Sequence, residues 1–125
     1  MWQNMSQRVY AFIRNSRKAV TLSNPVSNGD TIDLFLSAPE TIVQFSSDIT
    51  VDFNLNVIPV KCVLGDKLYL IISSATSLNI ITSTGNLMFN DCGPDNPPSD
   101  HYIDAGITII PFLFNGTDFI GLDYC

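Results

Sequence analysis

Apolar and polar residues alternate along most of this chain. The clearest case is residues 49–57, where Ile49, Val51, Phe53, Leu55 and Val57 are apolar and the four residues between them are polar. That period of two predicts a strand with one wet face. After Val57 the parity flips, and Ile58, Val60, Cys62 and Leu64 become the apolar set, with Pro59 at the switch. A bulge or a bend between two strands accounts for both features. Upstream, Ile32, Leu34 and Leu36 alternate with Thr31, Asp33 and Phe35. Downstream, Gly65-Asp66 forms a turn and Leu68, Leu70 and Ile72 begin another strand, with two shorter ones at 78–81 and 86–89.

Ile107 to Phe114 is a nearly continuous apolar run, too short for a typical buried helix and rich in β-branched residues, so it reads as a buried strand. Asn115-Gly116 follows and Phe119-Ile120 come next, which predicts a hairpin over 107–122, because both turn residues tolerate positive φ. Eight or nine short strands with frequent turn signals predict an all-β domain, an antiparallel β-sandwich or jelly-roll-like barrel. No tandem repeat is evident in the sequence. The body is assigned to residues 21–125, with residues 1–20 as an N-terminal arm. In that arm Trp2, Met5, Val9 and Phe12 recur at helical spacing, while Val9, Ala11 and Ile13 alternate with Arg8, Tyr10 and Arg14 as in a strand. Both readings stay open.

Length and composition sharpen this picture. A chain of 125 residues is one domain and large enough for a real core. Apolar residues make up 46% and charged residues only 14%, below the quarter or so that is usual. The charge is uneven: residues 1–18 carry four basic side chains and no acid, +4, while the remainder carries two lysines against twelve acids, −10, for the net −6. An acidic body argues against nucleic-acid binding. The first residues lack the apolar stretch of a secretory signal, and no apolar run is long enough to span a membrane. Three cysteines, Cys62, Cys92 and Cys125, are an odd number without zinc-finger spacing, and suggest a reducing compartment. Cys62, in an apolar run, reads as a buried small hydrophobe.

Candidate chemistry is sparse. Residues 90–101 hold three prolines and a glycine among several acids, which predicts a long loop. Asp91, Asp95, Asp100, His101 and Tyr102 form the candidate contact surface there. The spacing of its carboxylates does not match an EF-hand, so no metal is expected. His101 is the single histidine, and no nucleophile elbow or phosphate-binding loop accompanies it. Neither catalysis nor a cofactor is expected. The arm has the aromatic and arginine composition of an interface, so Trp2, Met5, Arg8, Tyr10, Phe12, Arg14 and Arg17 are the candidate partner-binding residues.

Three segments carry a resemblance. Residues 65–72 (GDKLYLII), 84–87 (TGNL) and 105–120 (AGITIIPFLFNGTDFI) resemble a strand-and-turn pattern of tailed-phage virion structural proteins, including head-fibre, decoration and tail-fibre β-domains. The likeness spans roughly residues 21–122, with Asn115 where aspartate is frequent. It implies a head-fibre or capsid-decoration protein in the virion, assembled in the host cytoplasm. It also implies self-association, often as a homotrimer, with strand faces buried between subunits and the arm holding a major capsid or other virion protein. The alternative is a tail or baseplate module that binds a host glycan through the 90–101 loop and an exposed Tyr102 or Tyr124.

Overall fold

The computed structural model describes residues 17–81, 85–89 and 100–122. Ten strands run through these residues: β1 Arg17–Leu22, β2 Asp30–Leu36, β3 Glu40–Phe45, β4 Phe53–Pro59, β5 Lys67–Ser74, β6 Leu78–Ile81, β7 Leu87–Met88, β8 Asp100–Ile103, β9 Gly106–Phe114 and β10 Phe119–Gly121. They form a six-stranded sheet in the order β1-β3-β5-β9-β10-β7 and a four-stranded sheet in the order β2-β4-β6-β8. The two sheets pack face to face, so the all-β sandwich expected from the alternation is what the chain forms.

The pairing is mixed rather than wholly antiparallel. β1, β3 and β5 run parallel, as do β2, β4 and β6, and β10 pairs parallel with β7. Only β5–β9, β9–β10 and β6–β8 are antiparallel. The reason is that β1 to β6 alternate between the sheets, so each pair of strands is one turn of a flattened coil. Parallel neighbours need a long crossover, and here a strand of the opposite sheet supplies it. Arg17 pairs with Glu40 and Asp30 with Phe53, a step of 23 residues in both sheets. The next step is 27, Glu40 to Lys67 and Phe53 to Ile80. The four extra residues lie in the β4–β5 connection, 60–66, against 37–39 between β2 and β3. The chain therefore repeats in structure where its sequence shows no repeat.

Polar side chains bind one coil corner to the next. The Asn24 amide donates to the carbonyls of Ser47 (3.0 Å) and Asp48 (2.9 Å), and its Oδ1 accepts from the Ser47 N–H (3.2 Å). Asn28 Oδ1 accepts from the Asp52 N–H (3.1 Å), and Asp52 Oδ1 from the Asn79 N–H (2.8 Å). Connections that must leave the ladder thus keep their backbone groups paired. Asp30, at the start of β2, accepts from the N–H groups of Val26 and Ser27, both at 2.9 Å. These bonds, Ser27 first, hold its pKa below the ordinary 3.8. A lowered folded pKa stabilises the fold above the unfolded value, and that contribution is lost as pH falls through the folded one. Asp30→Asn is therefore expected to flatten the stability profile below about pH 4 in acid titrations followed by circular dichroism.

The core lies between the sheets. Leu68, Leu70, Ile72, Ile110, Phe112, Phe114 and Phe119 face Leu34, Leu36, Phe53, Leu55, Val57, Leu78 and Ile80, all buried. Two corrections concern strand limits. The strand expected over 49–57 begins only at Phe53, with Ile49 held by an isolated bridge to Ser74. The apolar set after Pro59 is a connection rather than a strand, and its Val60, Val63 and Leu64 are exposed. β3 starts at Glu40, directly after Pro39, and β1 takes residues 17–20 out of the expected arm.

The hairpin over 107–122 forms, but not through a two-residue turn. Residues 115–118 connect β9 to β10, and among the described residues only glycines, Gly116 included, have positive φ. Asn115 instead accepts from the N–H groups of Thr117 (2.9 Å) and Asp118 (2.8 Å) through its side chain, an Asx turn. Gly85 answers a different demand. A Cβ there would lie 2.6 Å from the Val57 nitrogen and 2.9 Å from Asn56 Oδ1. Gly85→Ala must displace the neighbouring bond from the Asn86 N–H to the Val57 carbonyl, 2.8 Å long. A loss of about 1–3 kcal/mol is expected in denaturant unfolding.

Candidate functional site

The feature that stands out is the outer face of the six-stranded sheet. Strand register and burial give its rows directly. One row is Ala19, Ile42, Tyr69 and Pro111; the next is Gln44, Ile71 and Ile109; Ile107 lies beside Ser73. On the other side Leu113 pairs with Ile120, and Ile120 with Met88. Leu122, whose N–H donates to the Pro111 carbonyl at 2.8 Å, continues the patch. Ile107 is 75% exposed, Ile109 61% and Leu113 38%.

Strands about 4.8 Å apart with a rise of about 3.3 Å per residue make this patch roughly 20 Å by 20 Å. That is on the order of 400 Å², the size of the largest apolar patch on an ordinary monomer, which is often a functional surface. Its rim is polar. Arg17 Nε lies 3.1 Å from Glu40 Oε2 with Lys67 next in the same row, and Gln44 Nε2 donates to Thr21 Oγ1 at 3.1 Å. An apolar centre inside a polar rim is the anatomy of a protein–protein interface. Sequence reading placed residues 107–114 in the core, and only half of them are there. Ile110, Phe112 and Phe114 point inward, and Ile107, Ile109 and Leu113 point outward. The signal was available: a strand whose two faces are both apolar has only one core to fill.

The outer face of the four-stranded sheet differs. Asn56 Nδ2 donates to Asp33 Oδ1 at 3.0 Å, and Asn54 Nδ2 to the Gly29 carbonyl at 3.0 Å. This polar surface has Phe35 at one edge and Tyr102 near the other, both exposed.

Of the expected partner-binding residues, Trp2, Met5, Arg8, Tyr10, Phe12 and Arg14 lie outside the described residues, and Arg17 is in β1, paired with Glu40. Of the loop residues, Asp91 and Asp95 lie outside them as well, as does Tyr124. Asp100, His101 and Tyr102 belong to β8 and not to a loop. His101 is a correction in environment too: half-buried, it stacks on Phe89 with ring centroids 4.5 Å apart. Tyr102 is on the opposite face, 59% exposed beside Asn79. These two candidates therefore do not converge on one site. Cys62 is half-buried, and its thiol donates to the Leu36 carbonyl at 3.2 Å. Burial first, and then the Asp66 carboxylate, push its pKa up, away from a reactive thiolate. Among the described residues no three of His, Cys, Asp and Glu come together as metal ligands, and no helix is long and apolar enough to cross a membrane. Comparison of the chain with protein-family models, with curated proteins and with solved structures finds no match.

Proposed function

We propose that this protein is a non-catalytic structural subunit that assembles with copies of itself through the outer face of the six-stranded sheet. The observation that carries this reading is the apolar patch centred on Ile107, Ile109, Pro111 and Leu113. Electrostatics favours a second copy as its occupant. Residues 19–125 carry −10, so copies repel one another over most of their surface. Glu40 is the one acid pointing outward from the described strands of this sheet, and Arg17 pairs with it. Asp48, which accepts from Ser73 Oγ at 2.6 Å, sits at the margin of this face beside Ile107, so two acidic bodies meet less electrostatic cost over its centre than over the rest of their surface.

The resemblance to tailed-phage virion proteins makes the assembly specific: a head-fibre or capsid-decoration subunit, most naturally a trimer. A trimer places two neighbours against each copy and covers more apolar surface than one flat contact. Mass spectrometry of purified virions from a phage that encodes this chain tests the assignment. Its peptides are expected in the particles, at a copy number that is a multiple of three. Peptides found in the lysate but absent from washed particles would overturn the virion assignment.

A further inference from the structure

The two ends of the sandwich carry opposite charge. β1, β3 and β5 start at one end, with Arg17, Glu40 and Lys67 in one row. The short link 37–39 brings the last residues of β2 and β4 to the same end. The four lysines and arginines among the described residues, Arg17, Lys18, Lys61 and Lys67, all lie there. Three acids accompany them. Glu40 pairs with Arg17, Asp66 accepts from the Val63 N–H at 2.9 Å, and Asp118 accepts from the Asn86 amide at 3.1 Å. Four cations against three acids leave +1. At the opposite end lie Asp30, Asp48, Asp52 and Asp104, where β2, β4 and β9 begin, and these four acids contribute −4. Strands of seven or eight residues hold the two ends roughly 25 Å apart.

The basic end also presents the exposed apolar side chains of the β4–β5 connection, Val60, Val63 and Leu64. This is the connection that holds the four extra residues of the longer coil step. Hydrogen bonds fix its shape. The Val60 N–H donates to the Leu36 carbonyl at 2.8 Å, the Gly65 N–H to the Phe114 carbonyl at 2.9 Å, and the Asp66 N–H to the Val63 carbonyl at 3.0 Å. A tethered loop with three apolar side chains in water is suited to a contact. The acidic end offers an apolar counterpart in Val26, 83% exposed in the connection before Asp30.

We propose that copies of this chain stack end to end, with the 60–64 loop and Lys67 of one copy against the acidic end of the next. A second copy is the fitting occupant because it supplies both the carboxylates and an exposed apolar side chain. Like ends repel and unlike ends attract, so charge selects the head-to-tail arrangement. Such a contact is heterologous: it leaves one end of each kind open and repeats along a filament. Its area is bounded by the cross-section of the sandwich. Several strands about 4.8 Å apart and two sheets about 10 Å apart, with their side chains, give about 500 Å² per copy. A standard stable interface covers about 800 Å² per partner, so single copies stack weakly. Contact through a sheet face leaves the ends uncovered, and an assembly joined that way presents several ends at once and gains avidity. In this respect the stacking rests on the lateral contact proposed above.

Light scattering of the full-length protein at two salt concentrations tests this. Charges are felt over about 30 Å at 0.01 M salt and about 3 Å at 1 M. The mass of the lateral assembly is expected at the higher concentration and at least twice that mass at the lower. The lateral mass at both overturns the stacking alone, whereas a single-copy mass at both overturns the lateral contact with it. Charge reversal gives a second reading. Lys61→Glu with Lys67→Glu makes both ends acidic. Asp48→Lys, Thr50→Lys and Asp104→Lys, all at exposed positions, bring the acidic end to +1. Each variant alone should keep the lateral mass at low salt, and a mixture of the two should regain the larger one. Stacking by either variant alone, or a mixture that stays at the lateral mass, would refute the pairing of unlike ends. Circular dichroism melts near that of the parent show that the variants fold, and the salt series on the parent decides if they do not. Co-sedimentation of the parent with phosphatidylserine vesicles, lost in Lys61→Glu with Lys67→Glu, would assign the basic end to a lipid surface and remove the second copy as its occupant.

Discussion

Ile109→Asp is expected to convert the proposed assembly into a 13.8 kDa monomer while leaving the fold intact. Ile109 is 61% exposed and points away from the core, so in the isolated subunit its replacement changes little. Substitutions at such positions usually stay within about 0.5 kcal/mol. In the proposed assembly the same carboxylate sits in an apolar contact with no cation in its row, where Ile71 is its pairing partner and Gln44 lies one strand beyond. Desolvating a charge without a partner costs several kcal/mol, and a symmetric contact repeats that cost in every copy. Sedimentation velocity reads the loss of assembly, and a denaturant midpoint close to that of the parent shows that the fold survives. Loss of both together would mean that Ile109 supports the subunit itself.

Three residues along the same strand the expectation reverses. Phe112→Ala should cost about 3–5 kcal/mol of subunit stability, the range for a large aromatic truncated inside a core. Phe112 is 1% exposed and meets Phe89 edge-on at a centroid distance of 5.4 Å. Phe89 in turn stacks on His101, so one truncation loosens the contact between β8, β9 and the end of β7. Domains of this size are stable by roughly 5–15 kcal/mol, so the loss takes a large part of the total. Urea unfolding followed by far-ultraviolet circular dichroism or tyrosine emission measures it directly. The two variants form a pair: Ile109→Asp acts on association and Phe112→Ala on folding, although both belong to β9.

The sandwich itself was legible in the sequence, and physical chemistry explains why. A period of two survives any change of strand partner, so Ile32, Leu34 and Leu36, or Phe53, Leu55 and Val57, mark strands with one dry face whatever lies beside them. Partner choice leaves a weaker trace. Short links such as 37–39 suggest hairpins, yet here they carry the chain across to the other sheet, and parallel pairing at steps of 23 and 27 follows. The steps are visible only once the register is known, because the stacked residues, Val20, Val43 and Leu70 for example, share apolar character and not identity.

The outer apolar patch was half legible. The run 107–114 announced itself as apolar, but a run without alternation does not say that only one of its faces meets the core. His101 was misread for a related reason. Prolines at 94, 97 and 98 extend the loop signal up to it, while its stacking on Phe89 and the pairing of its neighbour Tyr102 with Asn79 depend on distant strands.

Light scattering of the full-length protein over a range of concentrations tests the central claim, that the outer face of the six-stranded sheet is where copies meet. The mass expected is a multiple of 13.8 kDa, threefold for the trimer, falling to the monomer value for Ile109→Asp. A parent protein that stays at 13.8 kDa at every concentration would contradict the claim and leave the patch without its proposed occupant.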